Sequence, residues 1–176
     1  MNVAALKKRD IANGPGVRVS LFVSGCTHRC PGCFNEVAWD FSYGTPFDEA
    51  ARREVLEALA PDYIQGLSLL GGEPFEPQNQ RTLCVFLREV KEKYPQKNIW
   101  CYSGYTLEQL NGQTPCRAAC EVTEEMLSYL DVLVDGRFEL ERKNIRLRFR
   151  GSENQRLIDM NKTRERGEIV LWDERQ

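Results

Sequence analysis

The chain has 176 residues, of which 41% are hydrophobic and 28% charged. That composition suits one globular domain and excludes a disordered or fibrous protein. Twenty-four Lys and Arg against 26 Asp and Glu leave a net charge of −2, which argues against nucleic acid or an anionic membrane as the main partner.

In chain order, the first eight residues, MNVAALKK, hold no apolar signal core, so a cytoplasmic protein is expected. Val17–Val23 reads VRVSLFV, a β-branched and aromatic run that predicts a strand ending at Gly25. Residues 47–60 predict a helix with Asp48 as a possible N-cap, an apolar stripe of Val55, Leu56 and Leu59, and Pro61 beyond the end. Residues 67–70 form a short apolar strand stopped by Gly71 and Gly72. Leu83, Phe86, Leu87 and Val90 share one face of a helix over 79–94. A strand over 99–102 stops at Ser103-Gly104. A helix over 123–130 has acids in its first turn, and a strand over 132–134 stops at Asp135-Gly136. Residues 145–149 and 168–172 read as further strands.

Strands alternating with helices predict βαβ units and a mainly parallel sheet. Four clear strands are too few for a closed eight-stranded barrel of ~250 residues, so an open, partial (β/α) barrel fits the length better. Active sites of such folds lie at the carboxyl ends of the strands. Each of the four strands runs into a Gly-containing polar loop there: Gly25-Cys26, Gly71-Gly72-Glu73-Pro74, Ser103-Gly104-Tyr105 and Asp135-Gly136-Arg137. The chain reads as one domain, 1–176, with an insertion at 111–121 and a C-terminal extension from 150. No run approaches the ~20 apolar residues of a membrane span.

Seven cysteines, an odd number, point to metal or redox chemistry rather than a disulfide framework. Three of them, Cys26, Cys30 and Cys33, have the spacing C-x3-C-x2-C directly after a strand. Three thiolates on one short loop hold three irons of a [4Fe–4S] cube, and with no fourth cysteine nearby the last iron stays open. The competing reading is a structural zinc ion held by these cysteines and His28, the one histidine of the chain. His28 stands between two of the cysteines, an awkward place for a tetrahedral ligand. Phe34 follows the third cysteine and either shields the cluster or packs in the core. Cys84 and Cys101 read as core residues. Cys116 and Cys120, four residues apart, are a metal or redox pair or idle.

With its surroundings, the triplet resembles the radical S-adenosylmethionine (SAM) activating proteins of class III, anaerobic ribonucleotide reductases. The resemblance runs through Asn13-Gly14-Pro15-Gly16-Val17-Arg18, Leu21-Phe22-Val23-Ser24-Gly25-Cys26, Gly32-Cys33-Phe34-Asn35, Leu70-Gly71-Gly72-Glu73-Pro74-Phe75, Ser103-Gly104-Tyr105, Asp131-Val132-Leu133-Val134-Asp135-Gly136 and Arg150-Gly151-Ser152-x-Asn154-Gln155. It implies that SAM chelates the open iron and that one electron cleaves it to methionine and a 5′-deoxyadenosyl radical. That radical takes a hydrogen from one glycine of the large reductase subunit. The resemblance also implies that Gly32, Phe34, Gly71, Gly72 and Glu73 lie against SAM, the carboxylate pairing with its ammonium. Ser103 and Asp135 are candidates for its carboxylate or ribose, with ordinary turns as the alternatives.

Six basic against two acidic residues over 137–150, an excess of +4, are either a solvated face or a dock for an acidic electron donor of flavodoxin or ferredoxin type. The runner-up functions are another small radical SAM enzyme, such as a pyruvate formate-lyase activator or a small-molecule enzyme, and a non-catalytic iron–sulfur or zinc module.

Overall fold

The computed structural model describes residues 1–173. Its elements are β1 (Asn2–Asp10), β2 (Val17–Val23), β3 (Thr45–Pro46), α1 (Glu49–Leu59), β4 (Ile64–Gly71), α2 (Pro77–Lys93), β5 (Asn98–Tyr102), α3 (Leu107–Leu110), α4 (Thr123–Ser128), β6 (Val132–Asp135), β7 (Arg156–Asp159) and α5 (Met160–Arg166). The seven strands form one mixed sheet in the order β3-β1-β2-β4-β5-β6-β7. Its centre, β2-β4-β5-β6, is parallel. The outer pairings, β1 with β2 and β3, and β7 with β6, are antiparallel. The protein is therefore α/β, and the four strands legible in the sequence are its parallel centre.

Alternation along each strand divides the sheet into two faces. Val19, Leu21, Leu67, Leu69, Ile99, Cys101 and Leu133 point to the face covered by α1, α2 and α4, in one core with Val55, Leu59, Phe86, Leu87, Val90 and Met126. An isolated helix of α1's 11 residues is marginal in water, so this burial is what holds it. Asp48 caps α1 as expected, its side chain accepting from the Ala51 N–H at 3.0 Å. The hydroxyl of Thr123, the first residue of α4, donates to Gln80 Oε1 at 2.8 Å and ties α4 to α2.

Two expected strands are absent. Over residues 145–149, Asn144 Oδ1 accepts from the Arg146 N–H at 3.0 Å, which makes a turn, and Phe149 sits at φ 56°, so the chain cannot stay extended. Residues 168–172 follow a left-handed Gly167, and their backbone pairs with the sheet through one isolated bridge, Leu171 to Ile158. The sequence reading did not find β1, whose Lys7, Lys8 and Arg9 are exposed, nor the four-residue β7.

The other sheet face carries a buried cation. Arg18 is fully buried. Its guanidinium donates to Ser68 Oγ at 2.7 Å, Asn98 Oδ1 at 2.7 Å and the Leu67 carbonyl at 2.8 Å, and stands 5.4 Å from the Trp100 ring. Burial holds its pKa down to about 10. The Asn13-Gly14-Pro15-Gly16 loop seals it: Ser68 Oγ donates to the Asn13 carbonyl at 2.6 Å, and a Cβ on Gly14 would lie 2.8 Å from Arg18 Cδ. Trp100 meets Phe149 and Trp172 edge-on beyond it.

An Arg18→Met variant keeps the volume but strands the Leu67 and Asn98 acceptors. It is expected to lose roughly 2–3 kcal/mol, the cost of leaving buried polar groups unpaired, read as a lower urea midpoint. A wild-type midpoint would contradict this role.

Candidate metal centre

The carboxyl ends of the four parallel strands lie along one edge, and all four glycine loops meet there. Backbone contact builds the junction. Gly72 N–H donates to the Val23 carbonyl at 2.7 Å and Glu73 N–H to the Gly25 carbonyl at 2.8 Å, while Gly25 N–H reaches the Ala38 carbonyl at 2.8 Å. The chain leaving β2 is thus clamped between β4's exit and a 3-10 turn at Glu36–Trp39. Only glycine fits at 72: a Cβ would stand 2.5 Å from Gly25 O and 2.8 Å from Ala38 O, both backbone atoms.

Cys26, Cys30 and Cys33 are all free thiols on this loop, Cys30 buried and the others half-buried. Arg29 at φ 48° and Gly32 at φ 70° bend the loop, and Cys33 N–H closes a turn on the Cys30 carbonyl at 3.1 Å. Burial first, then the nearby Glu73 carboxylate, push the Cys26 thiol up to about 12. A ligand of high positive charge is what would hold it as thiolate. Among the described residues, no three Cys, His, Asp or Glu side chains converge on one point as a single metal ion requires. A cube does not require this, because it offers each thiolate its own iron. The donor set fits a [4Fe–4S] cluster.

His28 does not join the cysteines. Its Nε2 lies 3.1 Å from Glu73 Oε2, and its ring tilts against Tyr105 at 4.4 Å. The zinc reading thus loses its fourth ligand. Glu73 is 1% exposed. Its oxygens accept from Phe75 N–H at 2.9 Å, Ser103 Oγ at 2.9 Å and Gly104 N–H at 2.7 Å, so it locks the β4 and β5 loops together. Ser103 is engaged twice, since its Oγ also accepts from Tyr105 N–H at 3.0 Å.

Asp135 is fully buried. It accepts from Arg156 Nε at 2.9 Å and from Leu107 N–H at 2.8 Å. Gly71, Gly72, Glu73, Ser103 and Asp135 therefore gather at the edge where the cysteine loop begins. Phe34 is 85% exposed, so it does not pack in the core. Gly32 rests against Leu140, whose Cδ1 would lie 2.8 Å from a Cβ there. Cys84 and Cys101 are core residues as expected, and burial raises both thiols, Cys84 to about 11.

Several contributors lie outside the site residues expected from sequence. Glu76, 5% exposed, accepts from Thr27 N–H at 2.7 Å and Thr27 Oγ1 at 2.6 Å and holds the cysteine loop from below. Asn79 Nδ2 donates to the Ser24 and Glu73 carbonyls at 2.9 and 3.0 Å. Arg156 clamps Asp135 and also pairs with Glu108 at 2.7 Å. The late Arg150–Gln155 block closes the β6 loop: Asn154 Nδ2 donates to the Arg137 carbonyl at 2.7 Å and Gln155 Nε2 to that of Gly136 at 3.0 Å. Beside these loops opens a cavity of about 570 Å³, lined by His28, Gly104, Tyr105, Asp135, Arg137 and Arg156 among others.

The family described as a 4Fe-4S single cluster domain matches residues 12–158. The chain is 43% identical over 157 residues to the anaerobic ribonucleoside-triphosphate reductase-activating protein of Pasteurella multocida, covering 88% of this chain and 95% of that one. The protein of the same name from enterobacteria phage T4 is 40% identical over 157 residues, 89% and 93% of the two chains. That of Escherichia coli K12 is 39% identical over 148 residues, 83% and 90%. Among the described residues, no helix is long and apolar enough to cross a membrane.

Gly72→Ala is expected to displace the cysteine loop and lower iron loading severalfold after anaerobic reconstitution, with the circular dichroism unchanged. Full iron loading would contradict the close-packed junction. Arg156 holds the Glu108 carboxyl down to about 2. A carboxyl that titrates lower folded than unfolded stabilises the protein above the ordinary range, near 4.5, and loses that as pH falls towards 2. Arg156→Gln should raise the midpoint of acid unfolding; an unmoved midpoint would show that the clamp is idle.

Proposed function

The chain belongs to the 4Fe-4S single cluster domain family and to the anaerobic ribonucleoside-triphosphate reductase-activating proteins, and from this membership we infer that it activates an anaerobic ribonucleotide reductase as a radical SAM enzyme. The observation that carries the reading is the set of three free thiols, Cys26, Cys30 and Cys33, on a loop clamped to the Gly71-Gly72-Glu73 turn at the carboxyl edge of a parallel sheet. On this reading the sheet is the open (β/α) barrel of radical SAM type. When bound, the reduced [4Fe–4S] cluster and SAM supply one-electron cleavage to methionine and a 5′-deoxyadenosyl radical, which takes a hydrogen from a reductase glycine and leaves a glycyl radical.

The chain's own residues bind, orient and shield. Cys26, Cys30 and Cys33 would hold the cluster by three of its irons and leave it open to SAM. Gly71 and Gly72 press the exit of β4 against the Val23, Gly25 and Ala38 backbone, and so set where the loops that face the methionyl end lie. Glu73 has its oxygens engaged by Ser103, Gly104 and Phe75, so it acts through its negative charge and through the loops it holds. The cavity beside Gly104, Asp135 and Arg156 receives the adenosyl part. Asp135 acts there through Arg156, which fills the carboxylate with donors, rather than as a free ribose acceptor. The radical must be kept from water, and the exposed Phe34 leaves that wall for the reductase to supply. An oxygen-sensitive open iron suits the cytoplasm. The electron comes from a reduced flavodoxin- or ferredoxin-type donor.

The test is anaerobic mixing of iron-reconstituted protein, reductant, SAM and the cognate reductase. The expected result is a SAM-dependent glycyl radical on the reductase, seen by electron paramagnetic resonance and absent with Cys30→Ser. A radical formed equally well on pyruvate formate-lyase would favour the runner-up, and no radical with either would overturn the reading.

A further inference from the structure

Two loops at the mouth of the metal centre leave large apolar side chains in water. Just after the third cysteine Phe34 is 85% exposed, and Val37 in the 3-10 turn that follows is 56% exposed; on the segment after β6 Leu140 is 50% and Ile145 91% exposed. Single exposed apolar residues are ordinary, and Val85 is of that kind. These four differ because their loops are joined. Leu140 lies over Gly32, and the Arg137 guanidinium donates to the His28 carbonyl, so the segment after β6 rests on the cysteine loop and both form one rim. That rim also carries the chain's charge asymmetry. Residues 137–150 hold an excess of +4 on a chain of net charge −2.

We propose that this rim, Phe34 and Val37 with Leu140 and Ile145, framed by Lys143 and Arg146, is the docking surface for the reductase segment that carries the glycine. The inference rests on the functional reading above. A glycine offers no side chain to grip, so its neighbours must be gripped instead. Hydrogen transfer needs van der Waals contact at the metal centre and a dry mouth, which an apolar rim provides once covered. An electron donor needs no such contact. The partner surface is accordingly apolar at its centre and acidic around it, since apolar anchors inside a charged border give affinity and register.

The experiment compares wild type with Val37→Ser/Ile145→Ser and with Lys143→Glu/Arg146→Glu, all iron-reconstituted. It measures anaerobic affinity for the purified reductase, dithionite-driven SAM cleavage without reductase, and reduction by flavodoxin. Both double variants should bind the reductase at least ~10-fold more weakly, with SAM cleavage unchanged. The wild-type interaction should also weaken as salt rises. Unchanged reductase binding overturns the proposal while glycyl-radical formation keeps the functional reading intact. Unchanged reductase binding with slowed reduction by flavodoxin gives the rim to the electron donor, and also overturns it. A wild type that neither cleaves SAM nor forms the glycyl radical overturns the functional reading and this inference with it.

Discussion

Backbone pressed against backbone where β2 and β4 end is the constraint on which the rest of the molecule depends. Gly72 touches the Gly25 and Ala38 carbonyls with no room for a methyl group, and the hydrogen bonds there fix the first residues of the cysteine loop. A loop of eight residues with three thiols would otherwise be free to collapse into a disulfide or turn its cysteines inward. Here the parallel sheet determines where the loop starts and the Glu73 and Glu76 carboxylates determine how it lies. The sheet is rigid for an ordinary reason: α1, α2 and α4 bury one face of it, and a buried, fully hydrogen-bonded Arg18 closes part of the other.

The electrostatics of the edge follow the same logic. Glu73, Glu76 and Asp135 are buried carboxylates at the ends of β4, α2 and β6, and each is occupied by donors from a different segment of the chain. Buried charges are tolerated when they are hydrogen-bonded in this way, and each one joins segments that lie far apart in the chain. Burial, and after it the negative charge of Glu73, make a free thiolate costly at Cys26. A cationic iron cluster reverses that cost, so the loop is built for a ligand that brings positive charge.

Much of this was legible in the sequence, for physical reasons. Parallel strands buried on both faces read as continuous apolar runs, so β2, β4, β5 and β6 stand out, as do the glycines that end them. The antiparallel flanks do not: β1 is interrupted by charge and β7 has four residues. The alternation Ile145-Arg146-Leu147-Arg148-Phe149 imitates a strand, but the Asn144 turn and a left-handed Phe149 undo it. In the site, the residue types and their edge could be read, while their partners could not. Thr27 and Glu76 lie 49 positions apart and Asp135 and Arg156 lie 21 apart, and nothing local in a sequence announces such pairs.

The most direct test of the account is electron paramagnetic resonance of the anaerobically reconstituted, reduced protein with and without SAM. The account predicts a reduced [4Fe–4S] signal that changes when SAM is added, because SAM takes the iron that Cys26, Cys30 and Cys33 leave open. A cluster signal indifferent to SAM, or a protein that binds zinc and forms no cluster, would contradict it.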